Sequence, residues 1–153
     1  MSDRNIFGIE NAHDLFGVIV KRYREFEKLP NEADFLFLCF ALYHLREWVV
    51  HGEKRKIIKK IFPENRTKEQ NFFIEIFDLN EFQTIRDFCN TGKHFSIERG
   101  LFPVTQKTSG NAVGVFRAGD SLASDRAIFL INKKDCRDLF ASIIGKYNQV
   151  LND

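Results

Sequence analysis

A mainly α-helical bundle of about five to six helices, with a small β-hairpin or three-stranded insertion before the C-terminal helix, is the fold class this sequence predicts. Three observations lead there. Apolar residues recur at helical spacing from Leu15 to Phe95. Between Gly100 and Asn132 that period gives way to short β-branched runs punctuated by Gly100, Pro103, Gly110, Gly114 and Gly119. The helical period then returns at Lys133. With 153 residues, 44% of them hydrophobic, the chain fits one domain spanning residues 1–153 with a sizeable core.

The first helix covers residues 11–28. Leu15, Phe16, Ile19, Tyr23 and Phe26 share one face, Asn11 is a suitable N-cap and Pro30 stops the run. Asn31, with Asp34 three residues on, opens a second helix. It runs through Phe37, Leu38, Ala41, Leu42, Leu45, Trp48 and Val49 to His51 and Gly52, and the short connection makes the pair antiparallel neighbours. Residues 54–62, KRKIIKKIF, predict a short basic amphipathic helix with Ile57, Ile58, Ile61 and Phe62 on one face. Its five basic residues read either as a solvated face or as a contact for a nucleic-acid backbone. After a break at residues 63–66, Thr67 starts another run through Phe72, Phe73, Ile76 and Phe77.

Residues 78–80 interrupt before the helix EFQTIRDFCNTGKHF, residues 81–95. Strands are expected at 104–108, 113–116 and 127–131, with a turn at 109–111 and the insertion spanning about 100–132. From Lys133, the positions of Cys136, Leu139, Phe140, Ile143, Ile144, Tyr147 and Leu151 make a closing helix.

Composition narrows the functional classes. There are 23 basic and 21 acidic residues, a net charge of +2, so any anion binding must be local. Cys39, Cys89 and Cys136 are widely spaced in apolar company, the pattern of reduced thiols in a cytoplasmic protein. The N-terminus lacks a secretion signal pattern, and the apolar run at 35–43 is too short to span a bilayer, so no membrane association is expected. His13, His44, His51 and His94 lack chelating spacing, and no metal or other cofactor is expected.

The helix at 81–95 carries the candidate chemistry. At roughly 100° per residue, Phe82, Ile85, Phe88, Cys89 and Phe95 sweep an apolar arc, while Arg86, Asn90, Lys93 and His94 gather in a polar one. Asn90, Thr91 and Gly92 are poor helix formers in succession, which points to selection for something besides helix stability. The alternative is that the helix ends there, with Gly92 as a left-handed cap. In the second helix, His44 and Trp48 lie one turn apart. Either His44 is a half-buried ring against an aromatic, or Arg46 or Glu47 bonds towards Asn90 and His94 and orients the imidazole.

These residues resemble the HEPN superfamily, whose members include bacterial toxin and phage-defence ribonucleases. The family motif places a polar residue directly after an arginine, and a histidine four residues beyond that polar residue. Asn90 and His94 match it, Cys89 stands in the arginine place, and Arg86 and Lys93 bring cations to the same face. RDFCNTGKHF is also similar to bacterial proteins in which an Arg, an Asn and a Lys-His pair follow a helix ending like His44 to Trp48 here. The resemblance implies metal-independent RNA cleavage at a homodimer interface, with His94, Asn90 and Arg86 catalytic and Lys93, Arg46 and Glu47 binding substrate. RNA, a second copy and an antitoxin or other protein are the implied partners. Two alternatives stay open: an inactive helical module that binds RNA, a nucleotide or a protein, and an interaction domain whose polar arc seals a dimer.

Overall fold

The computed structural model describes residues 6–93, 105–109 and 127–152. Within them lie six α-helices: α1 (Ala12–Lys28), α2 (Glu32–Val49), α3 (Arg55–Ile58), α4 (Lys68–Glu75), α5 (Asn80–Lys93) and α6 (Cys136–Asn152). Three strands, β1 (Thr105–Ser109), β2 (Ala127–Ile131) and β3 (Lys134–Asp135), form an antiparallel sheet in the order β1-β2-β3 ahead of α6. His94, Phe95, the strand expected at 113–116 and the turn residues Gly110 and Asn111 lie outside the described residues.

Local chemistry sets most boundaries. The Asn11 side chain accepts from the Asp14 amide at 3.0 Å, and Asn31 accepts from that of Asp34 at 2.9 Å, each satisfying an orphan donor of a first turn. Thr67 and Gln70 make a reciprocal capping box on α4. The end of α2 is a Schellman-type stop: Gly52 N–H reaches Glu47 O at 2.7 Å, and His51 N–H reaches Trp48 O at 3.1 Å. His51 itself takes the left-handed conformation, φ 51°.

Two stretches depart from the sequence reading. The basic segment is helical only over Arg55–Ile58; Ile58 is fully buried, whereas Ile57 and Phe62 are exposed. Five cations in seven positions leave too narrow an apolar stripe to bury more than one residue. Lys133 is not the start of α6 but half of a hairpin turn. Asn132 and Lys133 both have positive φ, 50° and 67°, the pattern of a two-residue type I′ connection between β2 and β3. Asp135 then accepts from the Arg137 amide at 2.8 Å, capping α6. It also holds the nearly buried Arg137 guanidinium through three contacts of 2.7–3.1 Å.

α1, α2, α5 and α6 enclose one core, built largely from rings. Phe26 meets Phe140 edge-on at 5.5 Å, Phe35 meets Phe88 likewise at 5.3 Å, and Phe35 stacks on Phe129 of β2 at 6.1 Å. Tyr147 is fully buried and donates to Leu42 O at 2.7 Å, so its hydroxyl costs no unsatisfied group. A smaller cluster of Val50, Ile58 and Phe73 fixes α3 against α4. No helix among the described residues is long and apolar enough to cross a membrane.

Candidate functional site on helix α5

α5 starts one residue after the 3₁₀ turn Ile76–Asp78, where Gln83 Nε2 donates to Phe77 O at 3.1 Å and pins the first turn. The helix then continues through Thr91 and Gly92 to Lys93. Gly92 is therefore a helical residue and not the left-handed cap considered above. Phe82, Ile85 and Cys89 point into the core and are fully buried. On the other side Arg86 is half-exposed and Asn90 exposed, one turn apart at i and i+4.

Arg86 is not a bare cation. Its Nε and Nη2 lie 3.4 and 3.3 Å from Asp87 Oδ1, with both side chains more than a third exposed. Such an adjacent, solvated pair is worth little in stability. An incoming phosphate would compete with Asp87 for the guanidinium. Lys93 belongs to α5, and nothing described places its side chain.

Position 89, the arginine place of the family motif, lies in the α2–α5 interface. Cys89 Sγ donates to Cys39 O at 3.4 Å. Cys39 and Cys136 are buried too. Burial pushes the Cys39 thiol well up, with the two other cysteines adding to it, and lifts that of Cys136 to about 12 with a further push from Asp135. Thiols held neutral in this way are poor nucleophiles.

Arg46 and Glu47 sit at the other end of the α2–α5 contact. Phe35 meets Phe88 and Cys39 meets Cys89, whereas Tyr43 and Arg46 meet Phe82, so the two helices run antiparallel. Phe82 and Asn90 are eight residues apart, roughly 12 Å at 1.5 Å per residue. Arg46 is only 7% exposed. Its guanidinium lies between the rings of Tyr43 at 4.2 Å and Phe77 at 4.3 Å, with Phe73 and Phe82 beyond. Its Nε and Nη1 are buried without a hydrogen-bond partner among the described residues. Contact with several aromatic faces, worth about 2 kcal/mol when desolvated, offsets part of that cost. Arg46 thus serves packing, and solvent does not reach it as it reaches Arg86.

Glu47 is half-exposed, with Oε1 3.6 Å from Arg46 Nη2 and Oε2 4.0 Å from His44 Nδ1, both too long for hydrogen bonds. It lines a cleft of about 250 Å³ with Glu10, Asn11, Trp48, His51 and Gly52. His44 meets the Tyr43 ring edge-on at 5.2 Å. The aromatic box around Arg46 is the feature sequence reasoning missed. Its signal was present: position 46 continues the inward stripe of 35, 38, 39, 42, 45 and 49.

Among the described residues, no three His, Cys, Asp or Glu side chains are grouped to hold a metal ion. Comparison of the chain with protein-family models, with characterised proteins and with solved structures finds no match.

Proposed function

We propose that this chain is an HEPN-like protein of the cytoplasm whose α5 face acts on RNA, as a metal-independent endoribonuclease of a toxin or phage-defence system. One observation carries the reading: α5 stays helical through Lys93, which keeps Arg86 and Asn90 on one exposed face and brings His94 next in the chain. In this reading His94 takes the proton from a ribose 2′-hydroxyl or returns one to the departing 5′-oxygen as the 2′-oxygen attacks phosphorus. Asn90 orients the imidazole, and Arg86 or Lys93 meets the charge that develops on the phosphate oxygens. A second copy would set two such faces side by side. The exposed Leu36 and Phe37 of α2 supply apolar surface for that pairing.

The test is incubation of the purified protein with a mixed RNA pool, with and without a chelator. The parent is expected to cleave under both conditions, leaving 2′,3′-cyclic phosphate ends, and His94→Ala to lose roughly 10²-fold or more. An inert parent, or a His94→Ala variant as active as the parent, contradicts the enzymatic reading.

The burial of Cys89 in the arginine place favours a second reading, a module that binds RNA, a nucleotide or a protein partner such as an antitoxin without cleaving. RNA retained intact, with an affinity that depends on Arg86 and Lys93 and falls steeply with salt, selects that reading.

A further inference from the structure

We infer that the segment around α3 is a docking surface for single-stranded RNA, separate from the α5 face. Lys54, Arg55, Lys56, Lys59 and Lys60 place five positive charges in seven positions of a chain whose net charge is only +2. All five are exposed, and among the described residues none forms an ion pair. The preceding acid, Glu53, is turned to Gln70, accepting from its Nε2 at 2.8 Å, and makes no ion pair with these cations among the described residues.

The patch is firmly mounted. Ile58 is fully buried against Val50 and Phe73, Arg55 stacks on Phe77 at 4.0 Å, and Arg66 Nε ties the returning chain to Ile58 O at 3.2 Å. Beside the cations stand two apolar side chains open to solvent, Ile57 at 48% and Phe62 at 70% exposure. Unpaired cations that meet phosphates, together with an exposed ring on which a base can stack, are what a single strand binds without regard to sequence. An anionic membrane fits less well. A four-residue helix offers no continuous apolar face to sink into the headgroup layer.

The identity of the ligand rests on the RNA reading of α5, but the two surfaces can fail separately. The experiment is fluorescence anisotropy of a labelled 2′-O-methyl oligouridine, which cannot be cleaved through its 2′-oxygen, titrated with four proteins over a range of salt. These are the parent, the quadruple variant Lys54→Gln/Lys56→Gln/Lys59→Gln/Lys60→Gln, Phe62→Ala and Arg86→Ala/Asn90→Ala. A fifth protein, with arginine at the same four positions, serves as control: it keeps the charge and is expected to bind like the parent, separating loss of charge from loss of fold. The quadruple variant is expected to bind at least ~10-fold more weakly at ~0.1 M salt and to lower the log–log salt slope by up to about 3, at ~0.7 per phosphate contact on a single strand. Phe62→Ala should weaken binding about 10-fold.

If the quadruple variant binds like the parent while Arg86→Ala/Asn90→Ala fails, the patch is overturned and the α5 reading stands. The reverse result supports the patch and removes RNA from α5. A parent that ignores the RNA, or binds phosphatidylserine vesicles in its place, overturns the inference.

Discussion

Cys89 concentrates the tension between the motif and the fold in one side chain. Where the HEPN motif that the sequence resembles has arginine, this chain has a fully buried thiol that bonds across to Cys39 O. An arginine at that position would force a guanidinium into the packed interface between α2 and α5. Cys89→Arg is therefore expected to cost about 3–5 kcal/mol, the penalty for an uncompensated buried charge. Urea unfolding measures it; a variant as stable as the parent and more active on RNA would show that position 89 can turn outward. Arg46 makes the complementary point. Its residue type, an arginine beside a glutamate, signalled a surface binding group, whereas its register on α2 placed it inward, and register prevailed because rings from α2, α4, α5 and the turn before α5 close over it.

At the scale of elements, α5 carries the account. Gly92 in a helical position lowers stability relative to alanine, through backbone entropy, by up to ~1 kcal/mol. Gly92→Ala should accordingly raise stability by that order and increase helical circular dichroism. A fall in stability would mean that residue 92 requires positive φ and that α5 stops short of Lys93. The helices with a polar cap and a wide apolar stripe, α1, α2 and α4, were legible in the sequence because a side-chain acceptor and a periodic core face mark their starts. α3 was overread, since apolar residues within a lysine run mimic a stripe that only Ile58 completes. The β2–β3 hairpin was hidden. Its turn is Asn132–Lys133 without glycine, and its second strand is two residues long, so neither a turn dipeptide nor alternation announces it.

Across the whole molecule, the antiparallel packing of α2 on α5 separates two polar regions: the Glu47 cleft at one end and the Arg86–Asn90 face towards the other. The sequence placed Arg86 and Asn90 on one surface, and the structure keeps them there. It does not bring Arg46 or Glu47 to them, because pairing between distant helices is set by core complementarity that no local spacing encodes. The most direct test of RNA recognition by α5 is a titration of isotope-labelled protein with the 2′-O-methyl oligouridine, following backbone amide chemical shifts. The account predicts saturable shifts at Arg86, Asn90, Lys93 and His94, joined by Lys54 to Phe62 and absent around the buried Arg46. Saturable RNA binding that leaves every α5 amide unmoved, or no binding at all, would contradict it.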